Sequence, residues 1–247
     1  MSDEVEAEPG DVAPDDQGGG NMHVHKPKAV HGWRELASEI GVIVVGIAIA
    51  LLGEQAVEAL HWRHEVHAEG EALRQEVRAN LGSAAYRQSE RTCIDTRLAG
   101  LAELFRRQAK GLPLGLHAPV TRPPLSIAST GSWDIAISGQ ALGHMPRDEK
   151  LAFSDAFDAY KAFNQLRNEE DATWRRLELI NHADMLGAGD WVALHQAYGE
   201  AAALNGRMKS LTAYVLGNAA MGEHPSPAMQ SPADRAETKA FCAPLVS

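Results

Sequence analysis

Residues Ile40–Gly53, IGVIVVGIAIALLG, form an uncharged run that is apolar on every side of a helix. No other stretch of the chain constrains its fold so strongly. An amphipathic helix hides one face against a core, whereas a helix that is apolar all round needs a fully apolar environment. Fourteen residues is short for a bilayer span, which takes about 20, and runs of this length also occur as core helices or signal h-regions. Two further features favour a span. The apolar pattern continues past Glu54 through Ala56, Val57, Ala59 and Leu60. Trp33 and Trp62 are 29 residues apart, roughly 43 Å along a helix, which matches the ~40–45 Å between the interfacial zones where Trp anchors. We therefore read 33–62 as a transmembrane helix with interfacial flanks.

The positive-inside rule sets its direction. Lys26, Lys28 and Arg34 precede the run, and Arg63 is the only Lys or Arg after it until Arg74. The expectation is a cytoplasmic N-terminus and an exported C-terminal domain, in the periplasm of a bacterial inner-membrane protein. Residues 1–30 are expected to be a disordered acidic tail. The first 22 contain no Lys or Arg and are dominated by Asp, Glu, Gly and Pro, too little apolar surface to offset ordering entropy.

Beyond the run, Val66, Leu73, Val77 and Leu81, then Ile94, Leu98, Leu101 and Phe105, keep a helical period. They predict a helix reaching about Ala109, with a break near Gly82. A loop over GLPLGLHAPVTRPP follows. Further helices start near Thr130 or Ser132, at Pro146 with Asp148 and Glu149, at Asp190 as cap, and at Ser231 as cap. No alternating strand or internal repeat is evident. The predicted class is all-α, with one N-terminal transmembrane helix continuing into a soluble helical bundle over 63–247. A net charge of -10 argues against nucleic acid as a partner, since phosphate binding calls for a basic face.

Few residues carry chemistry. Glu39 and Glu54 flank the run, at a depth where ionisable groups are costly and functional by default; the plainer reading is that both snorkel to the interface. Gly46, Ala50 and Gly53 share one side of the helix and would allow close helix–helix approach. His61, His64 and His67 recur at i, i+3, i+6, so neighbouring imidazoles could share a metal, though an interfacial polar helix face is the plainer reading. Cys93 and Cys242 are the only cysteines; they either pair across a long loop in an oxidising compartment or lie apart as buried thiols. Ser132–Asp134 and Asn181–Asp184 contain catalytic residue types but read as helix ends. Asn164 and Asn205 border apolar stripes, as buried groups that fix helix register would. There is no GxSxG, P-loop or dinucleotide-binding glycine pattern, and nothing calls for a cofactor.

The segment VHGWRELASEIGVIVVGIAIALLGEQAVEALHWRHEV, together with TGSWDIAISGQAL and FCAPL, resembles a group of uncharacterised single-pass inner-membrane proteins of alphaproteobacteria. The resemblance implies a membrane anchor and a helical domain, and transfers no catalytic residue. The expected partners are the lipid bilayer and either further copies of the chain or other subunits of a membrane complex. The expected role is a non-enzymatic scaffold or accessory subunit. The alternatives are an exported ligand-binding or sensor module, and an enzyme of unrecognised type.

Overall fold

The structure is a computed structural model that describes residues 32–124, 127–227 and 232–246. The acidic tail and the Ser231 cap lie outside these residues. The described residues form helices and loops without a strand. The helices are α1 (Trp33–Ser89), α2 (Arg91–Ala109), α3 (Gly131–Ala136), α4 (Ala141–His144), α5 (Arg147–Leu177), α6 (Ala188–Gly217) and α7 (Pro232–Phe241), with a 3-10 segment at Glu178–Met185. The chain divides into two compact units, Met1–Gln55 and Ala56–Ser247, and the boundary falls inside α1.

In the first unit every described side chain is exposed. Val42 is 72% exposed, Ile49 65% and Leu52 65%. The best 18-residue window of α1 has a mean hydropathy of 2.3 with none of it buried. This is the one helix among the described residues long and apolar enough to cross a membrane.

The second unit is a helical bundle with two apolar cores. The first gathers Leu73, Val77 and Leu81 of α1, Trp133 of α3, Phe153, Phe157, Tyr160 and Phe163 of α5, and Met208 and Val215 of α6. The second gathers Ile94, Leu101 and Phe105 of α2, Trp174 and Leu177 of α5, Leu194 and Ala197 of α6, and Phe241 and Leu245. α5 and α6 run through both cores, whereas α1 contributes to the first and α2 to the second, and polar residues gather where the two cores meet. α1 and α2 place Arg87 and Glu90 there, α5 places Arg167 and Glu170, and α6 places Asn205, all of them buried. A polar belt thus divides the bundle.

Local sequence explains the helix ends. α5 opens after Pro146 with Asp148 and Glu149 in its first turn and closes with Arg175 and Arg176, which complements the helix dipole at both ends. The Gly187 N–H donates to Asp190 Oδ2 at 2.8 Å, so Asp190 sits at the third position of α6 and Gly187 is its cap. Gly82 does not break α1: it is buried within the helix, and the chain turns instead at Glu90.

The long loop between α2 and α3 has no ladder of its own to satisfy its backbone. Three asparagines supply one. The Asn181 amide exchanges two hydrogen bonds with Val120 at 2.8 Å each. Asn164 does the same with Ala128 at 2.9 and 2.7 Å, and Asn80 with Ser129 at 2.7 and 2.8 Å. Each amide imitates a paired strand residue, offering one donor and one acceptor to a single peptide unit.

Candidate functional site

The sequence candidates next to the apolar run converge on an open groove of about 820 Å³ in the second unit. Leu60, Trp62, His64, Val66 and His67 come from α1 and meet His144 at the end of α4. On α1, Leu60, His64 and His67 share one side of the helix and Trp62 and Val66 the other, so the groove wraps around the helix. The Trp62 ring stacks on His144 with centroids 3.8 Å apart and planes 13° from parallel, and its indole N–H donates to Glu58 Oε1 at 3.3 Å. Trp62, expected as an interfacial anchor, is therefore held by protein and half-buried, while Trp33 is 78% exposed.

The groove floor is electrostatically fixed. Arg74 is paired with Glu149 of α5 and lies 3.9 Å from Glu71. Arg78 bridges Glu71 at 2.7 Å and Glu223 at 3.0 Å. The hydrogen bond from Arg78 holds the Glu71 carboxyl below its usual range. Arg63, His64 and His67 line the groove on its α1 side.

Among the described residues no group of three or more His, Cys, Asp or Glu side chains is arranged to hold a metal ion. His61 turns its ring against Trp62 at 5.2 Å, whereas His64 and His67 line the groove.

The other candidates are dispersed. Along the apolar run and its flanks, a Cβ built on Gly46 or Gly53 meets nothing within 4 Å, and Glu39, Ala50 and Glu54 are exposed. The Ser132–Asp134 cluster is structural: Trp133 stacks on Phe157 at 5.4 Å, and Asp134 accepts from Thr130 Oγ1 at 3.0 Å. Asn181 clamps the loop, as described above.

Cys93 and Cys242 form a disulfide across 149 residues. It fastens the C-terminal segment onto the second core. Phe241 meets Trp174 edge-on at 6.0 Å, and the Arg97 guanidinium lies 5.1 Å from the Phe241 ring centre. Leu245 presses so closely on α2 that a Cβ at Gly100 would stand 3.0 Å from it, and an alanine there would force Leu245 to give by a few tenths of an ångström.

The belt between the cores was not visible as a site in the sequence. Arg87 and Glu170, each 4% exposed at the side chain, pair at 2.6 Å. Burial pushes the Glu90 carboxyl up to about 7 and lowers the Arg97 and Arg167 guanidinium values, because a low-dielectric surround penalises the charged form. In comparisons with protein-family models, with curated proteins and with solved structures, nothing matches this chain.

Proposed function

We propose that this chain is a single-pass membrane protein that presents a helical domain in the exported compartment of a bacterium and works as a scaffold or accessory subunit of a membrane assembly. The observation that carries the reading is the uncovered apolar surface of residues 40–53, where every side chain is exposed. At about 25 cal/mol per Å², so much apolar surface left in water would cost far more than the few kcal/mol that keep a domain folded. A bilayer removes that cost.

Two further features support the direction. Basic residues precede the span, which favours a cytoplasmic N-terminus. The Cys93–Cys242 disulfide belongs to an oxidising compartment such as the periplasm. The open faces of Gly46 and Gly53, with Ala50 between them, fit a second helix in the membrane, from another copy or another subunit.

The test is crosslinking in native membranes, followed by detergent extraction, affinity purification and mass spectrometry. Stoichiometric recovery of membrane partners or of crosslinked copies supports the proposal. A chain recovered only as a monomer contradicts it. If copies crosslink, Gly46→Leu should weaken that crosslinking.

A further inference from the structure

A second recess lies in the bundle where the end of α1, the start of α2 and the middle of α6 meet. It holds about 140 Å³ and is lined by Arg87, Arg91, Asn205, Met208, Lys209 and Thr212, among others. That is the room of four or five water molecules, enough for one small ion.

Its lining is unusual in two respects. The first is charge. Three cationic side chains face one small space. Arg87 spends one nitrogen on Glu170, and Lys209 pairs with Asp95 at 2.6 Å. Arg91 has no ion pair among the described residues but acts on the Asp95 carboxylate, so three cationic side chains meet the carboxylates of Glu170 and Asp95, with Glu90 beside Arg87. The second is unmet hydrogen bonding. Arg87 is 4% exposed and Thr212 3%, yet Nε and Nη1 of Arg87 and Oγ1 of Thr212 have no protein partner among the described residues. A buried charged donor without an acceptor is costly, and native interiors seldom leave such groups unmet. Asn205 points its amide nitrogen at Asp95 Oδ1, 2.9 Å away, which orients the carboxylate that secures Lys209.

We infer that this recess is a binding site for a small oxyanion. The ligand would accept from the free edge of the Arg87 guanidinium and from the Thr212 hydroxyl, with Arg91 and Lys209 supplying charge. Hydrogen bonds in which a partner is ionised are about twice as strong as neutral ones. The inference does not depend on the membrane reading, because every residue it uses belongs to the bundle. It would make the bundle a sensor of a small anion at the seam between its two cores.

The experiment uses the full chain purified in detergent, with thermal unfolding followed by tryptophan fluorescence. Inorganic phosphate, sulfate and succinate are each added at about 10 mM against chloride of equal ionic strength, and a site of millimolar affinity raises the midpoint by about 3–5 °C. A response to phosphate and sulfate identifies a tetrahedral oxyanion, and a response to succinate alone a carboxylate. Thr212→Val removes the hydroxyl while keeping its shape. Without anion, it should match or exceed the wild-type midpoint, because an unmet buried polar group is gone. With anion, it should lose most of the shift. Arg91→Gln, at an exposed position, should weaken anion binding about tenfold by calorimetry. No shift with any of the three anions, or equal shifts in the wild type and both variants, would overturn the assignment.

Discussion

Residues Ile40–Gly53 and helix α5 are both rich in large apolar side chains, and they solve opposite problems. In α5 the apolar residues lie on one face: Phe153, Phe157, Tyr160 and Phe163 are buried while Lys161 and Ala162 beside them are exposed. The protein supplies the apolar environment itself. In the first unit the apolar residues cover all faces and the protein covers none of them. The same hydrophobic effect that closes the bundle must there be satisfied by something else. Helix periodicity, rather than total hydrophobicity, is what separates the two.

That contrast can be tested from both sides. The largest effect should come from arginine in the apolar run. Val44→Arg with Ile49→Arg should add about 5–7 kcal/mol to insertion and release the chain from carbonate-washed membranes. An arginine at exposed Ala162 of α5 should change bundle stability by no more than about 0.5 kcal/mol. If the double variant stays membrane-bound, the run is not a simple span.

Next in size is the disulfide, which acts on the bundle alone. Cys93→Ser with Cys242→Ser opens a closure of 149 residues, up to ~5 kcal/mol in the chain-entropy model. The expected outcome is a large fall in the bundle's denaturation midpoint with membrane retention unchanged. Loss of membrane binding in that variant would blur the distinction between the two regions.

The polar belt gives a somewhat smaller effect. Arg87→Ala leaves Glu170 buried without its partner and should cost about 3–5 kcal/mol. Replacing both, Arg87→Met with Glu170→Leu, should recover most of that loss, because an apolar pair of similar volume avoids the desolvation. Failure of the double variant to recover would show that the belt has a role beyond charge balance.

The smallest expected effect is a pH dependence. The folded Glu90 carboxyl sits near 7 against an ordinary 4.5 because it is buried. The folded state therefore holds this proton more tightly than the unfolded state. Stability contributed by the neutral acid is complete below about 4.5 and is lost as pH rises through 7, by up to ~3 kcal/mol. Glu90→Gln should flatten denaturation midpoints measured between pH 5 and pH 8 on the order of that amount. An unchanged slope would place the titration elsewhere.

The sequence made the helices legible because their apolar residues recur at helical spacing, and it made the uncovered apolar run legible because that spacing fails there. The all-α class and most helix positions followed from those patterns. What escaped was set by tertiary contacts. The turn at Glu90 rather than Gly82 depends on where α1 leaves the first core. Asp190 looked like a cap and proved to be the residue that receives the cap's N–H. Asn164 bordered an apolar stripe visibly enough, yet its partner, Ala128, lies 36 positions away. The anion recess draws on Arg87, Lys209 and Thr212, residues more than 120 positions apart at the extremes, which no local spacing joins. The histidine triplet shows the converse: regular spacing brought two of its members, His64 and His67, to a groove while His61 packs against Trp62.

The central claim is that residues 40–53 cross a membrane with the bundle on the exported side. It is tested most directly by protease access in spheroplasts, using a chain tagged at both termini. The expected result is that the C-terminal tag and bundle are digested from outside while the N-terminal tag remains protected until the membrane is breached. Digestion of the N-terminal tag with a protected bundle, or release of the intact chain by carbonate, would contradict it.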